Sequence, residues 1–125
     1  MKSLALAASF LLMTTLLAGC GSGGAATQTF SGEVTYQSQP VQEGQIIFRG
    51  ANGEPEVAAI KEGKYTARTT LGAKKVEITA LKDSGKLDAL GGKLMEQYLP
   101  PQYNENTTQT LEVTSSTTQH NFTLQ

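Results

Sequence analysis

The stretch "IKEGKYTARTTLGAKKVEITA", residues 60–80, decides the fold. Residues 64–70 place Tyr65 and Ala67 on one side and Lys64 and Arg68 on the other. Residues 74–81 repeat the pattern, with Val76 and Ile78 set against Lys75, Glu77 and Thr79. Side chains that alternate with a period of two describe a half-buried β-strand, not a helix. Between "VAAI" (57–60) and residues 64–70, "KEG" reads as a tight hairpin. Gly63 takes a positive-φ turn position at no steric cost, which lets Tyr65 enter the next strand facing inward.

Outward from this stretch the same pattern continues. "TFSGEVTY" (29–36) sets Phe30, Val34 and Tyr36 against Ser31, Glu33 and Thr35. Gly32 inside that run marks a bulge or a close backbone approach. "QSQPVQEG" follows as a turn preset by Pro40, "QIIFRG" (45–50) is β-branched and aromatic, and "ANGEPE" (51–56) is a loop. "TQTLEVT" (108–114) and "HNFTLQ" (120–125) close the chain, with Phe122 and Leu124 alternating. Seven strands at these spacings predict an all-β sandwich. The expected core is Val34, Ile46, Phe48, Tyr65, Val76, Ile78, Leu111, Val113 and Phe122. With one cysteine and no Trp, an antibody-type sandwich is disfavoured.

One connection departs from the pattern. In "KDSGKLDALGGKLMEQYLPPQY" (82–103), Leu87, Leu90, Leu94 and Tyr98 have near-helical spacing. Gly91-Gly92 weakens a continuous helix, so the reading is an irregular connection with one helical turn around 93–98. Pro100-Pro101 then imposes an extended entry to the next strand. Such a long connection either carries function or covers one end of the core with Leu94, Met95 and Leu99.

At the other end, Met1-Lys2 precedes "LALAASFLLMTTLLA" (4–18), an uncharged apolar run short for a membrane span, and Gly19-Cys20 follows. This is the layout of a secretory signal peptide. "LAGC" (17–20) resembles a bacterial lipobox, which implies cleavage between Gly19 and Cys20 and acylation of Cys20. Two or more acyl chains give durable anchoring where one does not, and "GSGGAATQT" (21–29) suits a flexible tether. The expected organisation is a signal peptide over 1–19, a lipidated cysteine and tether over 20–28, and a β domain over 29–125. Gly21 is not Asp, which favours the outer membrane by the sorting rule of many Gram-negative bacteria.

The pieces "FSGEVTYQSQPVQEGQIIF", "IKEGKYTARTTLGAKKVEITA" and "LPPQYN…LEV…NFTL" come in an order that resembles the carboxypeptidase regulatory-like domain, a transthyretin-like β-sandwich also found alone in small bacterial lipoproteins. The resemblance covers residues 29–125. It implies a seven-stranded transthyretin/Ig-like sandwich without chemistry of its own.

The residues add no chemistry. His120 is the only histidine, too few for a three-ligand zinc site, and no nucleophile elbow or phosphate-binding glycine motif is present. "DSGKLD" (83–88) lacks the calcium-loop ligand pattern. Some transthyretin-like proteins are hydrolases of a cyclic ureide, but their several His and Arg residues and Tyr-Arg-Gly-Ser ending have no counterpart here. Neither an enzyme nor a cofactor is expected.

Net charge is −1, which excludes a strongly basic nucleic-acid binder. Eight of the nine basic residues after Cys20 nevertheless fall between Lys61 and Lys93. If their strands are neighbours, Lys64, Arg68 and Lys75 form an outward basic patch for an anionic partner. The expected function is therefore a lipid-anchored envelope module that binds a protein or a polysaccharide. A small-ligand carrier, with its pocket between the sheets or under the 82–103 connection, is the alternative.

Overall fold

The computed structural model describes residues 25–51 and 53–125. Nine strands form: β1 Thr27–Tyr36, β2 Gln39–Pro40, β3 Glu43–Arg49, β4 Glu56–Lys61, β5 Lys64–Thr70, β6 Gly72–Leu87, β7 Lys93–Gln97, β8 Thr110–Val113 and β9 Phe122–Leu124. A single 3-10 turn at Pro101–Tyr103 interrupts them, and the described residues contain no α-helix. Seven of the nine strands lie where alternation places them. β2 and β7 are additions.

The strands pair in the order β2-β1-β5-β4-β3-β6-β7, with β8 also on β6 and β9 also on β1. Every pairing is antiparallel except β1 with β9. The sheet curls because its two longest strands change partners along their length. β1 pairs β5 from Thr27 to Glu33, then β2 and β9 from Val34 to Tyr36. β6 pairs β8 over Gly72–Lys75, β3 over Lys75–Ala80 and β7 from Leu81 to Leu87.

The curled inner face holds the core. Eight of the nine expected residues are buried, and Leu111 is half-buried against them. Phe30, Val41, Ile60, Leu99, Tyr103 and Leu124 join them. Phe30 sits edge-on to Phe48 at 5.5 Å and to Tyr65 at 6.2 Å, and Tyr65 meets Phe122 at 5.8 Å. Each such side chain stabilises the fold by about 1.5–3 kcal/mol on burial.

Two glycines are required by their surroundings. Gly63 (φ +76) follows Glu62 (φ +52) in the two-residue β4–β5 turn, the positive-φ pair that matches strand twist in a hairpin. The turn also docks: Gly63 N donates to Val41 O and Val34 N donates to Gly63 O, each at 2.8 Å. Gly32 is the close approach expected of it, since a Cβ there would collide with the carbonyl of His120.

Residues 93–97 form a strand, which corrects the expected helical turn over 93–98. Pairing with the far half of β6 satisfies their backbone, whereas a helix would have to start beside Gly91-Gly92 and end before Pro100. The near-helical leucine spacing is therefore distributed: Leu87 ends β6, Leu90 lies in the turn and Leu94 lies on β7. Of the three residues expected to cover the core, only Leu99 is buried, while Leu94 and Met95 remain exposed.

Between β8 and β7, side chains complete the edge of β6. Thr107 Oγ1 donates to Val76 O at 2.6 Å and Asn104 Nδ2 donates to Ile78 O at 3.3 Å. Tyr98 N donates to Ala80 O, and Gln97 Oε1 accepts from Ala80 N. Buried backbone groups need such partners, which accounts for the burial of Asn104 and Thr107.

Candidate functional site

Gly19 and Cys20 lie outside the described residues. Lys64, Arg68 and Lys75 are exposed on the outer face of the sheet. They do not meet, because β4 and β3 lie between β5 and β6. Three strand spacings put the two strands about 14 Å apart. Each cation has its own surroundings. Lys64 lies opposite Lys61 and Glu33, and Arg68 Nε donates to Thr27 Oγ1 at 3.1 Å. Lys75 lies opposite Arg49, whose Nε is 3.1 Å from Glu77 Oε1.

A different lysine is the one with a built environment. Lys74 faces inward and is only 4% exposed. Its Nζ donates to Glu56 Oε1 at 2.9 Å and to Thr70 Oγ1. Glu56 also accepts from the backbone N–H of Thr70 at 2.6 Å and from its hydroxyl. Burial pushes the Glu56 carboxyl up, but the Lys74 and Thr70 hydrogen bonds and the Lys74 charge outweigh it and hold the group below its ordinary range. The trio fastens the start of β4 to the β5–β6 turn. Alternation through "KKVEI" puts Lys74 on the face of Val76 and Ile78, so its inward position is written in the sequence.

Exposed apolar surface gathers at the opposite end of β6. Past Ala80, where pairing with β3 ends at Gly44, β6 continues with β7 as a two-stranded arm over residues 81–97. Leu81, Leu87, Leu90, Leu94 and Met95 are all exposed on it, and Leu90 in the turn is 97% exposed. Direct partners in a ladder share a face. Leu81 lies opposite Gln97, Asp83 opposite Met95 and Leu87 opposite Lys93, so Leu81, Met95 and Leu87 line one face. A register shift between Asp83 and Leu87 bends the arm, with Gly85 at φ +75.

The arm is held by its own polar groups. Asp88 Oδ1 accepts from the N–H of Leu90 and of Gly92, each at 2.8 Å, which closes the turn. Lys93 pairs with Asp83 at 3.2 Å and Lys82 with Glu96 at 3.4 Å. Lys82 Nζ also lies 5.7 Å from the Tyr98 ring centroid, at the root of the arm. These exposed ion pairs stabilise it by little, about 0–1 kcal/mol each, but they cancel the charge. Three lysines (Lys82, Lys86, Lys93) face three acids (Asp83, Asp88, Glu96) over residues 81–97.

The grooves of the surface are open. One of about 450 Å³ lies on the outer face between Gln45, Ala59, Thr79, Leu81 and Gln97, and adjoins the apolar face of the arm. Another of about 420 Å³ lies beside Gly50, Gly72 and Lys74. Among the described residues, no three His, Cys, Asp or Glu side chains converge as metal ligands would. The arm is thus the feature with the most unexplained apolar surface, and no protein-family model, curated protein or solved structure matches the chain to which it belongs.

Proposed function

We propose that this chain is a membrane-anchored envelope lipoprotein whose β domain is a non-catalytic interaction module, with the 81–97 arm as its contact surface. The observation that carries the reading is the concentration of exposed apolar side chains on the arm. Only Val57 and Leu71 match them elsewhere among the described residues. Exposed apolar groups gathered on one projecting element mark a contact site. A carrier would instead need an enclosed apolar pocket, and the open grooves favour the module.

The partner is a protein that presents an apolar, uncharged surface. The balanced charge of the arm gives no attraction to a phosphorylated polymer. A stacking platform for sugars is also missing, since residues 81–97 include no aromatic side chain. The anchor is Cys20, supported by the lipobox-like "LAGC". The domain is a carboxypeptidase regulatory-like, transthyretin-like sandwich. Seven strands in the expected places and the Glu62-Gly63 hairpin support that assignment.

Two measurements test the proposal. Wild-type protein is expected to fractionate with membranes and carry an acyl mass on Cys20, and Cys20→Ala to lose both. A Leu87→Ser, Leu90→Ser, Met95→Ser variant is expected to keep the wild-type melting curve. It should also lose the crosslinked adduct that the wild type forms in intact envelopes. An adduct of unchanged yield in the triple variant overturns the role of the arm.

A further inference from the structure

The direction of β6 fixes where the arm points relative to the anchor. The described chain enters at Ala25 and Ala26, where Ala26 O accepts from Leu71 N at 3.2 Å and Thr27 lies opposite Thr70. β6 starts at Gly72, on the same end of the sheet, and runs for 16 residues away from it. At the rise of a strand this is about 50 Å of path to the tip. The five residue steps from Cys20 to Ala25 span at most about 18 Å when fully extended. The end beside the tether presents the small residues Ala25, Ala51 and Gly53 and the exposed Leu71, with the exposed Glu54 and Glu112 nearby.

We infer that the anchored protein stands on this end, with the Leu71 turn at the head groups, and holds Leu87 and Leu90 out in the aqueous compartment, beyond reach of its own membrane. This rests on the Cys20 anchor proposed above. The apolar tip is then offered to a protein and not to lipid. The cations near the tether do not work against this arrangement. Arg49 is neutralised by Glu77, and Arg68 and Lys75 are separated on the outer face.

Acylation occupies the only native cysteine, so an introduced cysteine is the single site for a thiol-reactive dye. Full-length lipoprotein carrying Leu71→Cys or Leu90→Cys, labelled with an environment-sensitive fluorophore, would be reconstituted into phosphatidylcholine–phosphatidylglycerol vesicles containing head-group spin-labelled lipid. The dye at residue 71 is expected to be quenched by the labelled lipid at least twofold more than the dye at residue 90. Aqueous iodide is expected to quench residue 90 as strongly as in detergent-free solution. Stronger lipid quenching at residue 90 in protein that floats with the vesicles overturns the orientation alone. Protein that carries no acyl mass and fails to float overturns the anchor and the orientation together.

Discussion

Single residues set the geometry at a few points, where one backbone passes another with no room for a side chain. Gly32 was legible because a glycine inside an alternating strand has no packing reason to be there. Its Cβ would occupy the space of the His120 carbonyl, whose residue is tied in turn by the Tyr65 hydroxyl and by His120 N donating to Ser31 O. Gly32→Ala is therefore expected to force the β1 and 119–121 backbones apart and to cost at least about 2 kcal/mol in a urea titration. A cost within the error of the titration would place the two backbones further apart than described. Lys74 was equally legible by alternation, yet a lysine is ordinarily assigned to solvent, and its partner Glu56 is eighteen residues away. Nothing local announces the pair. Glu56 is held below its ordinary pKa, so its contribution is present above about pH 4.5 and is lost as the pH falls through the depressed folded value. Wild type and Glu56→Gln are thus expected to differ most in stability near neutral pH and to converge toward pH 2–3. A difference that stays constant from pH 7 to 3 would remove the ion pair from the account.

At the scale of elements, alternation located the seven strands because one face of each is buried, and burial writes the period of two. The arm lacks that cause. Most of its residues are exposed on both faces, so no apolar period marks it as a strand, and the leucines fell by chance at helical spacing. The same reasoning explains why the faces of the basic residues were legible while the neighbourhood of their strands was not. Faces were readable, so Lys64, Arg68 and Lys75 are outward as expected. Strand order was not, because it depends on pairings of distant segments such as β3 between β4 and β6. With about 14 Å between β5 and β6, Lys64→Ala and Lys75→Ala are expected to act independently. Their double-mutant coupling in stability should stay within about 0.5 kcal/mol, and a larger value would mean that the two strands lie closer than this order allows.

Across the whole molecule, the same contrast between buried and exposed ladders predicts how stability is distributed. β3 sits between β4 and β6, and Ile46 and Phe48 are fully buried, so its amides cannot meet water without loss of the core. β5 is held likewise between β1 and β4. The arm is a two-stranded ribbon beyond that core, fixed by a turn, two exposed ion pairs and the Tyr98 contact. A ribbon of two strands is marginal by itself in water. It therefore opens without the rest of the fold, at a free energy well below that of global unfolding. Native-state hydrogen exchange is expected to show Glu96, which lies opposite Lys82 in the ladder, exchanging at a rate insensitive to denaturant. Ile46, Phe48 and Ala67 should exchange only as the whole domain unfolds. Such a division suits a contact element that reshapes against a partner while the core that carries it stays fixed. Protection of Glu96 equal to that of Ile46 would instead make the arm a rigid part of one cooperative unit, and its exposed leucines would then meet a partner as a preformed surface.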